Sequence, residues 1–301
     1  MTKPNLVVAV GDFHSGGTTA IAIPFLTADK QPVNPSPYQN WLKECWDSLL
    51  ERAKKEAIGH NVTLLEGADR VDGVGHHGTT QTLGTKKNQR DMAKEILRPM
   101  VNLADQAYAL LGTDSHVGSN GEEDQDIADK LDMEARSSWR LNIGGWLFDW
   151  KHHVKLGGRE WTIDNPLLTL AQTVEISSRR RNQPIPDVIL RHHVHKGRSI
   201  VATNGIRVVT CPCWQLPTSW AMQKFPESWP DIGGVLFWPE EKRIEVIKYE
   251  LPDDPIIKVN YDETPHETVL RRKPAKGVPA PSAIRRRHNR TTNGRKVVKR
   301  G

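Results

Sequence analysis

Nine of the twelve histidines in this 301-residue chain fall into five short clusters, and each cluster follows a short apolar run. Leu6–Val10 leads into Gly11-Asp12-Phe13-His14, and Val62–Leu65 leads into Glu66-Gly67-Ala68-Asp69-Arg70-Val71-Asp72-Gly73 and then His76-His77. Ala107–Leu111 leads into Gly112-Thr113-Asp114-Ser115-His116, while the later runs end at His152-His153 and at His192-His193-Val194-His195. Histidines scattered over a solvated surface would not group in this way. Ligands of an α/β sheet bind beyond the carboxyl ends of its strands, where loops gather side chains that are distant in sequence. A fold that brings these five ends together makes a mixed imidazole and carboxylate site, which suits Zn, Mn, Fe or Ni.

The remaining pattern agrees with that requirement. Asn40–Ile58 reads as an amphipathic helix with Trp41, Cys45, Leu49 and Ala53 near one stripe, closed by Gly59. A second helix is expected from about Asn88 to Gln106, kinked or broken near Pro99, whose ring and missing N–H disrupt a helix interior. A strand at Ala107–Leu111 then completes a strand–helix–strand–helix–strand order, which predicts an α/β fold. The second half is richer in strands, at Trp146–His153, Asp187–Leu190, Ser199–Ala202, Arg207–Cys211, Val235–Trp238 and Arg243–Tyr249. Asn204-Gly205 marks a hairpin turn, and a helix runs from Asn165-Pro166 to about Ser178, with Arg179-Arg180-Arg181 as its solvated end. Glu122–Leu131 reads as a helix whose leading Glu122 and Glu123 suit its N-terminal dipole.

Charge divides the chain unevenly. Residues 271–301 hold twelve Lys or Arg and no Asp or Glu, which leaves 30 basic against 36 acidic groups in the other 270 residues. An overall +6 therefore combines an acidic body of −6 with a +12 tail. The reading is of a domain over residues 1–252, a Pro-containing linker over 253–270 and a basic low-complexity tail over 271–301. That tail, with Arg285, Arg286, Arg287 and Arg290 in its densest part, is expected to hold DNA or RNA phosphates without reading their sequence. Three cysteines cannot make a disulfide framework or a four-thiolate zinc site, and Cys211-Pro212-Cys213 reads as a buried strand end. No apolar run approaches the roughly 18 residues of a membrane-spanning helix. A cytoplasmic, reducing setting without membrane contact is expected, and the oligomeric state is left open. The ten tryptophans read mostly as core and loop anchors, with Trp214, Trp220 and Trp229 in a Pro-punctuated stretch beside the cleft.

Taken in order, Asp12-Phe13-His14, Ala68-Asp69-x-x-Asp72, Gly112-x-x-x-His116, the His152-His153 pair and His193-Val194-His195 resemble the calcineurin-like metallophosphoesterase superfamily. Asp72-Gly73 with His76-His77-Gly78-Thr79, Gly112 to Gly118, and Pro212-x-Trp214-Gln215 are similar to versions encoded by tailed phages and prophages. The resemblance covers about residues 5–250. It implies a four-layer α/β/β/α sandwich and two divalent metal ions, with Mn favoured. By the same resemblance Asp12, His14 and His195 hold the first ion, Asp69 bridges both, and His193 with either His152 or His153 holds the second. His116 would assist the leaving group, with Asp12 and Asp69 as the other catalytic positions, and His76 and His77 would contact substrate phosphate. The family's Asn ligand is missing here, so Thr113 or Asp114 stands in its place. Asp72 is either a carboxylate orienting a ligand or a turn former before Gly73. Ala68 and His192 stand where the family usually has Gly. The implied activity is hydrolysis of phosphate esters by a metal-bound hydroxide, by a phosphodiesterase or nuclease acting on nucleic acid. The alternatives are a nucleotide or protein phosphomonoesterase, and a non-catalytic nucleic-acid-binding protein with a degenerate metal site.

Overall fold

In the computed structural model, residues 3–74, 83–118, 120–157, 162–224 and 228–252 are described. The linker and the basic tail, with Arg285, Arg286, Arg287 and Arg290, lie outside them, as do His76 and His77. Strand β1 (Asn5–Val10) leads through the short β2 (Phe25–Leu26) and β3 (Pro32–Val33) to helix α1 (Pro37–Glu56). Then follow β4 (Asn61–Glu66), α2 (Lys86–Val101), β5 (Gln106–Leu110), α3 (Asp114–Val117) and α4 (Glu122–Lys130). The second half holds β6 (Glu134–Arg136), β7 (Ser138–Ile143), β8 (Trp146–Lys151), α5 (Asn165–Arg180) and β9 (Val188–Arg191). It closes with β10 (Arg198–Val201), β11 (Arg207–Thr210), α6 (Ser219–Lys224), β12 (Ile232–Trp238) and β13 (Arg243–Tyr249).

Two mixed sheets result, ordered β13-β12-β1-β4-β5-β6 and β10-β11-β9-β8-β7. Strands β1, β4, β5 and β6 run parallel, as do β8, β9 and β11. Period-two alternation decides the layers, because successive side chains of a strand face opposite sides. In β1, Leu6, Val8 and Val10 join a core with Leu42, Trp46 and Leu49 of α1 and Met92 and Ile96 of α2. Val7 and Ala9 face the other way and meet Phe148, Trp150, Val188 and Val209 of the second sheet. Ile189 and Val208 turn outward from that sheet onto Leu167 and Ala171 of α5. Helices, sheet, sheet and helix thus stack in four layers, the sandwich expected above.

The helices differ from expectation mainly at their ends. Ser36 caps α1 through the Gln39 backbone N–H while the Gln39 side chain accepts from the Ser36 N–H, so the helix starts at Pro37 rather than Asn40. Gln39 and Leu42 are buried on α1 together with Cys45, Leu49 and Ala53, while Trp41 is only partly buried at the margin of that stripe. Helix α2 passes through Pro99 and stops at Val101, so the proline lies in its last turn and Gln106 already belongs to β5. Strand β7, the antiparallel partner of β8, is absent from the strands expected above, although Trp139, Leu141 and Ile143 alternate along it. The turn between β7 and β8 is Gly144-Gly145, both at positive φ, the backbone that a tight hairpin demands. No helix among the described residues is long and apolar enough to cross a membrane.

Phe148 packs edge-on against Phe237 across the two sheets, with ring centroids 5.3 Å apart. Phe148→Ala is expected to cost about 3–5 kcal/mol of stability, because the cavity opens between two sheets that cannot close on it. Urea denaturation followed by tryptophan fluorescence measures it.

Candidate metal centre

The carboxyl ends of β1, β4, β5, β8 and β9 converge, and backbone hydrogen bonds tie their loops in pairs. After β1 and β4, the N–H groups of Asp12, His14 and Ser15 donate to the carbonyls of Ala68, Asp69 and Arg70. After β8 and β9, the His192 N–H donates to the His152 carbonyl. These corners are sharp. Asp12, His14, Ala68, Asp69, His193 and His195 all have φ between 46° and 78°, and they are six of the ten non-glycine residues recorded at positive φ. Side chains avoid that region at a cost of about 1–3 kcal/mol each, and such strain persists where the surrounding structure fixes it. Its concentration here marks the site independently of the motifs.

The residues expected to hold the first ion lie together: one ligand atom from each of Asp12, His14 and His195 falls within 4.8 Å of the others. Nε2 of His14 is 3.2 Å from Nε2 of His195. Asp12, Asp69 and His152 form a second group, and His152, His153 and His193 a third. His152 is buried, and its Nδ1–H donates to the Gly67 carbonyl at 2.7 Å. That bond places the other nitrogen, Nε2, 3.0 Å from a carboxylate oxygen of Asp69. A neutral imidazole so oriented would put a lone pair against a carboxylate, and only a proton or a cation between them removes the repulsion. His153 is exposed and lies edge-on to both His152 and His193. Between the two neighbours, His152 is the one that its surroundings aim at Asp69.

Thr113, one of the two residues expected where the family has Asn, lies against Asp69. Its N–H and hydroxyl donate to the two Asp69 oxygens at 2.6 and 2.9 Å, and its Oγ1 lies 3.3 Å from His152 Nε2 and 3.4 Å from His193 Nδ1. Asp114 is exposed at the start of α3 and joins none of the metal-ligand groups found among the described residues. Asp72 has two tasks. Its carbonyl accepts from Nδ1 of His116 at 2.8 Å, and its carboxylate accepts from Gln215 at 3.3 Å while grouping with His14 and His116. Gln89 holds the turn after it, accepting from the Gly73 N–H and donating to the Gly73 carbonyl.

Electrostatics fit a cation site. Burial opposes ionisation of Asp12, yet His195, His152 and His192 hold its carboxyl well below the usual range. Burial also opposes the charge on Asp69, and His152 and His14 more than offset it. Burial lowers His193 to about 4 and His192 to about 3, and with the neighbouring His116 and His195 it holds His14 well below its ordinary value. Neutral imidazole is the form that binds metal. His152 and His195 are the exceptions: burial works against each charge, but Asp69 raises His152 to about 10, and Cys213 and Asp12 hold His195 well above its ordinary value. Asp12 Oδ1 is buried without a hydrogen-bond partner. Two ionised carboxylates, an orphaned oxygen and several neutral imidazoles form a donor set that a divalent cation satisfies.

Three supporting residues have roles that the sequence pattern does not assign. His192 fills the space beneath the loops, where a Cβ on Gly67 would come within 2.0 Å of its ring and one on Gly11 within 2.7 Å. The Trp150 indole N–H donates to His192 Nε2 at 3.1 Å, so the proton sits on Nδ1, 3.7 Å from Asp12. Gln215 is visible in the sequence only as part of a Trp-Gln pair. Asp124, one residue beyond the acidic start of α4, is fully buried. It accepts from the N–H groups of Asp69, Arg70 and Gly112 and pairs with the buried Arg70 guanidinium, which also contacts Glu66. Burial pushes Glu66 up to about 7 despite that guanidinium. Glu123 pairs instead with Lys86 and Arg90 on α2. Only the alternation of buried and exposed faces on α4 singles out Asp124. Asp124→Ala is expected to cost about 3–5 kcal/mol, the penalty for stranding a buried partner charge, and to lower metal content at a given free metal concentration. Thermal unfolding and elemental analysis check the two effects.

No family model and no curated protein matches this chain. Solved structures similar to it include an archaeal phosphodiesterase, at 10% identity and TM-score 0.40, covering 81% of this chain and 99% of that one. Another is Entamoeba histolytica Vps29 complexed with zinc, at 15% identity and TM-score 0.36, covering 77% and 84%. A third is a conserved uncharacterized Streptococcus pneumoniae protein with a predicted phosphoesterase role, at 8% identity and TM-score 0.33, covering 78% and 83%. Identities and TM-scores this low do not carry chemistry from those proteins to this chain.

Proposed function

We propose that the chain is a divalent-metal-dependent phosphoesterase with a dinuclear centre, acting on phosphodiesters and, through its basic tail, on nucleic acid. The observation that supports this most directly is the meeting of Asp69 with a His152 nitrogen whose other nitrogen is committed to the Gly67 carbonyl. Asp69 in turn lines a cavity of about 740 Å³ together with His14, Asp72, His116, His193 and His195. Asp12, His14 and His195 would hold one ion, and His152, His193 and Thr113 the other, with Asp69 shared. Bound there, two such cations would supply Lewis acidity, lowering the pKa of an attacking water and neutralising charge that builds on the phosphoryl oxygens.

The chain's own groups do the rest. Thr113 fixes both oxygens of Asp69, so that carboxylate is oriented before substrate arrives. Asp72 and Gln215 fix His116: with its Nδ1–H given to the Asp72 carbonyl, the ring exchanges its second proton at Nε2. An alkoxide leaves poorly near neutral pH, so a proton delivered there lowers the barrier. Twelve cations in residues 271–301 would displace counterions from a polyphosphate strand and hold it near a body that is itself acidic.

Asp12→Asn and His193→Ala are each expected to abolish Mn²⁺-dependent hydrolysis of a chromogenic phosphodiester while circular dichroism stays unchanged; near-normal rates would overturn the assignment. His116→Gln is expected to slow hydrolysis of alkyl esters by roughly 10²–10⁴-fold. The loss should be much smaller for p-nitrophenyl esters, whose leaving group needs no proton. Deleting residues 271–301 should flatten the salt dependence of DNA or RNA binding, which a titration at several salt concentrations reads directly.

A further inference from the structure

The cavity has a second character that the metal chemistry does not use. Beside the ligand residues, its wall is built from Val154, Leu156 and Ile163 on the segment before α5, from Leu216 and Pro217 before α6, and from Trp220 in the first turn of α6. Each set is anchored from behind: Val154 and Leu156 pack against the core under α5, and Leu216 against the core under α1 and α2. Trp220 is 38% exposed. Among the described lining residues, Lys196 is the one lysine or arginine. Thr218 and Ser228 add hydroxyls to the same lining.

A groove that tracks several phosphates of a strand needs a row of cations, with aromatic platforms between them. The described lining of this cleft offers one lysine and no arginine beside an apolar wall, which suits a single phosphate carrying an organic group that prefers to leave water. We propose that this wall is a substrate subsite: the ester substituent beside the scissile phosphate is aromatic and seats against Leu156, Leu216 and Trp220, with Lys196 facing the phosphate's charge. The proposal rests on the hydrolytic reading above and names the substrate class of that same site. The aromatic group can be an unpaired nucleobase or a simple aryl ester. Either presents a flat apolar face of the kind that stacks on an indole.

Binding to the full-length, Mn²⁺-loaded chain tests it by calorimetry, with paired probes that share one head group. Phenylphosphonate is expected to bind on the order of tenfold more tightly than methylphosphonate. Trp220→Ala and, separately, Leu156→Ala should each shrink that ratio towards one, with the fold checked by circular dichroism. Thymidine monophosphate against deoxyribose phosphate then separates the sources. A preference for the nucleotide identifies a base, and its absence beside a retained phenyl preference identifies an aryl ester. Equal binding of the phenyl and methyl probes, or a ratio that survives both substitutions, would overturn the subsite. If the probes behave as expected but no phosphodiester is hydrolysed, the hydrolytic reading fails and the aromatic seat stands. If hydrolysis proceeds and the probes bind equally, the reverse holds.

Discussion

Two carboxylates, Asp12 and Asp69, are buried where the loops of the two sheets meet, and their need for positive charge organises everything around them. A buried carboxylate without a partner would take up a proton instead of staying ionised. Here imidazoles surround both groups, and Asp69 also accepts from the Thr113 hydroxyl and backbone. The Gly67 carbonyl decides which His152 nitrogen faces Asp69, and the Trp150 indole decides which His192 nitrogen faces Asp12. Backbone and indole thus set the chemistry of the ring nitrogens. A ligand residue in isolation would leave its tautomer open.

Holding these groups together requires backbone that most residues avoid. Asp12 and His14 turn left-handed beside Ala68 and Asp69, and the hydrogen bonds between their loops keep the two corners in register. The strain is offset elsewhere, by the fully buried Leu6–Val10 segment and by the ion cluster of Glu66, Arg70 and Asp124 beneath the second corner. That cluster also accepts the Gly112 N–H, which couples the loop after β5 to the loop after β4. Stability of the body and geometry of the site are therefore one problem here.

Much of this is legible in the order of the amino acids. The apolar runs before each cluster locate β1, β4, β5 and β9, because a short run ended by glycine or a charged residue has few other ways to bury itself. The hairpin at Asn204-Gly205 and the turn between β12 and β13 are legible from turn chemistry. Strand β6 is not, with Glu134 and Arg136 around a single Ala135, whereas β7 alternates Trp139, Leu141 and Ile143 with Ser138, Arg140 and Asn142 and is readable by its period. The Gly144-Gly145 turn is a second readable clue to β7. Asp124 is hidden for a different reason, as an acid in the first turn of a helix is ordinarily explained by the dipole alone.

By itself, the sequence determined which residue types stand at strand ends, and so the kind of ions such a site would take. It also confined the excess positive charge to residues 271–301, apart from an acidic body. Only the tertiary structure set His152 against Asp69 with His153 exposed beside it, put Thr113 rather than Asp114 against Asp69, and gave His192 a place under Gly11 and Gly67. Those choices depend on distances of a few ångströms between loops some forty to nearly two hundred residues apart in the chain. Spacing along a sequence carries no information at that scale; packing of two sheets face to face supplies it.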